Sequence, residues 1–138
     1  MTGVQTCALP IYVGINPLPL QRPIPLWYGS GAERILDRVV RLADGWIPES
    51  RVPETLAPQL AKLRAMLDEA GRDPEEFGLQ ARLSLRQGGP DLWRSYHGWY
   101  LENGFTHFCV STIWSGGQTL DEHLELLERF CAEVGVLR

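Results

Sequence analysis

The sequence predicts an α/β fold in which four strands alternate with four helices. Short segments that are apolar, aromatic or alternating recur along the chain, and each is followed by a longer segment whose apolar residues repeat at helical spacing. Strands that are joined through helices pair in parallel by right-handed crossovers. Four such units are half of a (β/α)8 barrel or a small doubly wound sheet, and the pattern alone leaves both architectures open.

The first unit is a strand near 25–29 followed by a helix. The strand is short, apolar and aromatic, and it follows a proline-punctuated stretch that favours extended coil. Ser30 and Glu33 have the spacing of a capping box, which predicts a helix that begins at Gly31. The apolar stripe of this helix consists of Ile35, Leu36, Val39, Val40, Leu42 and Ala43.

The second unit is a very short strand at 45–48 and a long helix. Pro53 suits the first position of this helix, and Pro58 is expected to delay its regular part. Gly71 is a typical C-terminal stop. The predicted buried stripe consists of Leu56, Leu60, Leu63, Leu67 and Ala70.

The third unit contains the clearest strand, at 78–85, which has a two-residue period. Its apolar positions are Leu79, Ala81, Leu83 and Leu85, and its polar positions are Gln80, Arg82, Ser84 and Arg86. A short helical turn is predicted just before it, at 73–75. The helix that follows is predicted from Asp91 to the Asn103-Gly104 pair.

The fourth unit is an aromatic and β-branched strand at 105–112, a glycine-containing loop and a last helix. Thr119 and Glu122 have the spacing of a second capping box, which predicts where this helix begins. The predicted apolar stripe consists of Leu124, Leu127, Cys131 and Val134.

Composition narrows the class of protein. The 138 residues suit one globular domain, with 44% hydrophobic and 22% charged residues. The net charge of −4 argues against nucleic acid or an anionic membrane as a partner. No apolar run approaches the ~20 residues of a membrane span. Cys109 and Cys131 lie in no C-x-x-C pair and are predicted to be small buried hydrophobes in a reducing cytoplasm.

Motifs for metal or nucleophilic chemistry are missing from the sequence. His97, His107 and His123 lack the spacing of metal ligands, so no metal is expected. The sequence has no G-x-S-x-G, H-E-x-x-H or P-loop motif, which leaves serine hydrolase, zincin and P-loop functions without support.

Four segments carry a family resemblance. They read GINPLPLQRPIPLWYGSGAE, RLADGWIPE, AGRDPEEFGLQAR and GFTHFCVSTIWSGG, and in this order they resemble the C-terminal half of luciferase-like monooxygenases. They look most like the branch of deazaflavin (coenzyme F-420)-dependent oxidoreductases. The resemblance runs from Gly14 to Val134. It implies a TIM (β/α)8 barrel, with the strands at 25–29, 45–48, 78–85 and 105–112 as its fifth to eighth.

The resemblance also implies an activity. The parent protein would be an oxidoreductase that uses coenzyme F-420, or alternatively FMN, for hydride transfer or monooxygenation of a small organic substrate. A homodimer is one option for the parent. Two alternatives stay open, namely a non-catalytic truncated fragment and half of a different phosphate-binding TIM barrel.

The first eleven residues do not resemble part of a protein family. Residues 1–11, MTGVQTCALPI, look like a translated sequencing-library adapter with GTG as its start codon. Such a segment is excluded from fold reasoning and is expected to make no contacts with the core. Residues 12–138 would then be a C-terminal half-barrel whose first four strands are missing. The strands at 25–29 and 105–112 would lack neighbours and are expected to recruit other chains.

Active sites of TIM barrels lie in the loops after the strands, where two segments could bind an anion. Gly29, Ser30 and Gly31 join a strand to a helix, so free N–H groups and the helix dipole favour an anion. The resemblance implies that they hold the cofactor phosphate; a tight turn with an N-cap is the alternative. The resemblance also implies that Ser50 and Arg51 contact the cofactor phosphate. The carboxylate of the neighbouring Glu49 is unfavourable near a phosphate, which favours a solvated loop as the alternative.

Four further residues are candidates near the last two strands. Arg82 lies on the polar side of its strand and needs an anionic partner if that side faces the barrel interior; cofactor and structural ion pair are both open. Ser111 and Thr112 end the last strand and could bind cofactor, or serve only the local turn. Trp114 lines the predicted pocket mouth or is merely exposed. No catalytic residue is identified.

Overall fold

The structure, a computed structural model, describes residues 20–136 with the exception of Gln87. The adapter-like segment at 1–11 lies outside the described residues. The elements are β1 (Trp27–Gly29), α1 (Glu33–Leu42), β2 (Gly45–Ile47), α2 (Pro53–Glu69), β3 (Gly78–Ser84), α3 (Pro90–Glu102), β4 (His107–Ser111) and α4 (Leu120–Val134). The predicted alternation of strands and helices is confirmed, with every strand at its predicted place and slightly shorter than predicted.

The four strands form one parallel sheet in the order β1-β2-β3-β4. All crossovers run in the same direction along the sheet, so right-handed crossovers place every helix on the same face. A doubly wound sheet would reverse its strand order and carry helices on both faces. The described part of the chain is therefore four consecutive βα units of the TIM-barrel type, in a sheet that does not close on itself.

The core lies between the sheet and the helices. Leu79, Ala81 and Leu83 of β3 are buried there against the leucine stripe of α2, as their two-residue period predicts. The four leucines of that stripe are Leu56, Leu60, Leu63 and Leu67, and all of them are buried. The sequence also predicts Ala70 in this stripe, but Ala70 is exposed, because it is already the C-cap residue of α2.

The opposite face of the sheet is covered by no helix in the described ranges. Gln80, Arg82 and Ser84 lie on this open face beside the exposed His107 and Cys109 of β4. A half-open face of this kind is the side that would line the interior of a closed barrel. Arg82 therefore lies on the barrel-interior side of β3.

Several local predictions are wrong. Helix α1 begins at Glu33 with Ala32 as its N-cap, because the Ser30 hydroxyl accepts from Ala32 N (3.0 Å) in a turn just before the helix. Pro58 lies inside α2 without delaying it, since the helix is regular from Pro53. The segment at 73–75 is a turn stabilised by Asp73 rather than a helical turn.

Helix α4 begins as predicted, and most of its predicted apolar stripe faces the core. Its capping box between Thr119 and Glu122 is complete. Phe130 is the buried residue of this helix, whereas Leu124 is 47% exposed. Three of the four predicted stripe residues are partly buried and pack against the core, namely Leu127, Cys131 and Val134. The prediction of the apolar face is therefore confirmed except at Leu124, and it missed the buried aromatic ring.

Candidate functional site

A cavity of about 360 Å³ lies at the carboxyl ends of β3 and β4. Its walls come from the loop after β2, the end of β3, the first turns of α3 and the loop after β4. The lining residues are Arg51, Val52, Arg82, Leu83, Ser84, Arg86, Leu92, Trp93, Tyr96, Ser111, Ile113 and Trp114. The carboxyl end of a parallel sheet is where the active sites of TIM barrels are found.

The cavity is strongly cationic. Arg51, Arg82 and Arg86 all line it, and the lining contains no aspartate or glutamate. Within the described part of the chain, none of the three guanidinium groups forms a salt bridge or a side-chain hydrogen bond. Three positive charges in one cavity repel one another, and a bound anion offsets this repulsion. The arrangement therefore favours a ligand with at least one negative charge.

Strand β3 and the turn after it position two of these arginines. Arg82 is directly paired with Cys109 of β4, and its buried neighbours Ala81 and Leu83 force its side chain onto the open face. Arg86 follows the strand end, and its backbone N–H donates to the Ser84 hydroxyl (3.4 Å).

A buried tyrosine positions the third arginine. The Tyr100 hydroxyl donates to the backbone carbonyl of Arg51 (2.8 Å), which ties α3 to the loop after β2. Burial raises the pKa of Tyr100 to about 12, and the nearby Tyr96 adds to the rise, while Arg51 acts in the opposite direction. The phenol is therefore protonated near neutral pH and keeps this hydrogen bond.

Two serines on neighbouring strands line the cavity. Ser84 and Ser111 are register partners on β3 and β4. Each hydroxyl accepts from a backbone N–H two residues later, at Arg86 and Ile113 respectively. Each still has a proton to donate, so both can add neutral hydrogen bonds to an anion that the arginines attract.

The predicted glycine loop lies outside this cavity. Gly29, Ser30 and Gly31 follow β1 at the same edge of the sheet, but none of them lines it. A carboxylate oxygen of Glu49 lies 3.7 Å from the position that a Cβ on Gly31 would take. A carboxylate this close is unfavourable for a phosphate at the loop. The Ser30 carbonyl accepts from the Trp46 indole (2.8 Å), which ties this loop to β2.

Two other predicted residues are used locally. The Ser50 hydroxyl lies 2.5 Å from that of Thr55 and accepts from Val52 N (3.4 Å), so it serves the turn into α2. The Thr112 carbonyl accepts from both the backbone N–H and the hydroxyl of Ser115, and Thr112 lines a neighbouring cavity rather than this one. Binding through the Thr112 hydroxyl stays a prediction. Of the predicted binding residues, Arg51, Arg82 and Ser111 are thus the ones that the structure brings together.

Some lining residues were not assigned to the site from the sequence. Ser84 and Arg86 continue the alternating polar positions of Arg82, so the two-residue period could have identified them. Leu92 and Tyr96 are four residues apart on one face of α3, but nothing in the sequence points that face at the cavity.

The histidines lie away from the cavity. His97 packs on Phe108 with its ring centre 4.9 Å away, and burial lowers its pKa. His107 packs edge-on against Trp27. The Nδ1 atom of His123 is buried without a hydrogen-bond partner near the start of α4. In residues 20–136, Gln87 aside, no group of His, Cys, Asp and Glu side chains could hold a metal ion.

Comparison with known proteins gives one family. The family model described as luciferase-like monooxygenase matches residues 11–129, which is most of the chain. No curated protein shows a significant match.

None of the helices in the described ranges has the length and apolar character that a membrane crossing needs.

Proposed function

The chain belongs to the luciferase-like monooxygenase family, and from this membership we propose that it is part of an oxidoreductase whose arginine cavity binds the phosphate of a flavin or deazaflavin cofactor. The observation that carries the proposal is the convergence of Arg51, Arg82 and Arg86 on one cavity without a carboxylate. Guanidinium groups bind phosphate oxygens through paired, charge-assisted hydrogen bonds.

The residues that line the cavity fit a phosphate group. Two serine hydroxyls, of Ser84 and Ser111, lie at the same cavity and can donate to phosphate oxygens that the arginines leave free. The cofactor supplies the redox chemistry when it is bound. The role of this chain is to hold the anionic end, so that the ring is fixed relative to a small organic substrate.

The resemblance of four sequence segments supports coenzyme F-420 as the first choice of cofactor, with FMN as the alternative. Both carry a phosphate group, so the cavity is suited to either. The free cysteines Cys109 and Cys131 support a cytoplasmic location, where thiols stay reduced.

The open sheet favours a second candidate for the chain taken alone, a non-catalytic fragment. TIM-barrel active sites draw residues from the ends of several strands around a closed barrel, and the described ranges contain four strands in an open sheet. Half of such a site can bind an anion without positioning a substrate. Binding of the cofactor without turnover is the behaviour that this candidate predicts.

The experiment compares two arginine variants that change the net charge equally. Arg82→Gln removes a cavity guanidinium, and Arg38→Gln removes an exposed one on α1. Isothermal titration with FMN and with inorganic phosphate measures affinity. We expect Arg82→Gln to lower the affinity for FMN and the affinity for phosphate about tenfold or more. The reason is that a hydrogen bond to a charged group contributes about 1.5–3 kcal/mol.

The control separates a local contact from general electrostatics. Arg38→Gln is expected to leave both affinities within about twofold, since an exposed remote charge is screened at physiological salt. Equal affinities for the wild type and Arg82→Gln, with unchanged circular dichroism, would place the anion elsewhere. Equal losses in both variants would show only a non-specific effect of charge.

A further inference from the structure

Trp114 combines exposure with an unfavourable backbone conformation. Its φ is 63°, and it is 81% exposed. Single exposed apolar side chains are common on protein surfaces, but a bulky residue at positive φ is a conformational outlier. Burial does not offset this unfavourable conformation, because the indole is largely in water. The exposed indole is therefore available for an interaction that the described part of the chain does not itself make.

Hydrogen bonds on both sides hold this conformation. The Ser111 hydroxyl accepts from Ile113 N (3.3 Å), just before Trp114. The Thr112 carbonyl accepts from Ser115 N (3.1 Å) and from the Ser115 hydroxyl (2.5 Å), just after it. These hydrogen bonds brace the loop backbone on both sides of the tryptophan.

The indole stands at the rim of the arginine cavity. Trp114 and the 64%-exposed Ile113 line that cavity and also a second one of about 680 Å³, which extends over the start of α4 to His123. The flat, exposed side chain thus lies where a ligand would leave the cationic cavity. Charge is concentrated inside the cavity, and exposed aromatic surface lies at its rim.

We propose that Trp114 is a specificity-determining residue whose indole stacks on a planar heteroaromatic ring, while the arginine cavity binds the anionic group of the same ligand. The proposal rests on the proposed function for the anionic end and adds the ring end to it. Stacking suits an exposed indole because the contact needs one face only and buries apolar surface on both partners.

Three probes separate the two ends of the ligand. FMN carries a ring and a phosphate, riboflavin carries the ring alone, and inorganic phosphate carries the anion alone. Their affinities are measured by isothermal titration for the wild type, Trp114→Ala and Trp114→Phe. Leu42→Ala is the matched control, because Leu42 is also exposed (56%) and lies at the end of α1, away from the cavity.

Trp114→Ala is expected to weaken FMN and riboflavin binding about tenfold, in line with alanine substitutions of stacking aromatics. Phosphate affinity is expected to stay within about twofold. Trp114→Phe retains most of the FMN affinity because it keeps an aromatic face, and Leu42→Ala changes none of the three.

Two negative results have different meanings. FMN binding that needs Arg82 but is unchanged in Trp114→Ala would overturn the stacking role and leave the arginine site intact. Absence of FMN and phosphate binding to the wild-type chain would overturn the proposed function, and the stacking role with it. An equal loss of phosphate affinity in Trp114→Ala would show a structural effect and would also overturn the stacking role.

Discussion

Arg82 owes its position to the two-residue period of β3. Its neighbours Ala81 and Leu83 are buried against the helices, so the arginine lies on the open face. This much could be predicted from the sequence. The position of Arg51 could not, because it depends on a hydrogen bond from Tyr100, which lies in a helix 49 residues later. Periodicity predicts which face a residue occupies, but it does not predict which loops meet.

Tyr100 gives a prediction about pH. Its pKa is raised by burial from about 10 in the unfolded chain to about 12. Because the folded value is the higher one, the buried neutral phenol stabilises the fold below pH 10, and this contribution is lost as the pH rises towards 12. We expect the contribution of Tyr100 to the free energy of unfolding in urea to fall by about 2 kcal/mol across this interval.

Tyr100→Phe is the comparison for this titration. It removes the ionisable group and the hydrogen bond to Arg51, at a cost of about 1 kcal/mol at neutral pH. The other titrating groups are common to both proteins. The difference in unfolding free energy between wild type and variant should therefore shrink or change sign above pH 10. A difference that is constant from pH 8 to pH 11.5 would contradict the assignment.

At the element scale, the ring of one tryptophan on β1 packs against residues of the other three strands. The Trp27 ring of β1 lies over Gly45 of β2 and Gly78 of β3, and His107 of β4 packs on its edge. A Cβ at Gly45 would lie 2.5 Å from a ring carbon of Trp27, and one at Gly78 would lie 2.4 Å from another. From the sequence, both glycines were only the first residues of strands. Their role depends on strand register, which single-strand patterns do not contain.

Gly45→Ala tests this packing. The added methyl group must displace a rigid ring, so we expect a loss of about 1–3 kcal/mol in unfolding free energy, as in other overpacked sites. Gly98→Ala in α3 is the matched control. No atom lies within 4 Å of its Cβ, and alanine should stabilise the helix by up to about 1 kcal/mol. A urea midpoint for Gly45→Ala that is unchanged or higher than that of the wild type would rule out the close approach.

The helix starts show why capping patterns succeed or fail. Both S/T-x-x-E sequences have the same spacing, yet only Thr119 acts as an N-cap. At Thr119 the backbone is extended, and the Glu122 carboxylate accepts from Gln118 N and Thr119 N, which lowers its pKa. At Ser30 the hydroxyl instead accepts from Ala32 N. A local turn therefore competes with the capping box.

At the scale of the whole molecule, the sequence predicted four βα units but left their architecture open. The unbroken strand order decides it, since the helices then cover one face and leave the other free. The expectation that the outer edges of β1 and β4 recruit further strands stays a prediction. So does the assignment of these strands as the fifth to eighth of a closed barrel, because closure depends on strands that the described ranges do not contain.

The most direct test of the account locates a bound anion on the folded chain. Inorganic phosphate, and then FMN, is titrated into the ¹⁵N-labelled protein while backbone amide and arginine Nε–Hε signals are followed by NMR. The account predicts saturable shifts of the Arg51, Arg82 and Arg86 side-chain signals. Shifts confined to the backbone amides of Gly29, Ser30 and Gly31, with the three arginine signals unmoved, would contradict it.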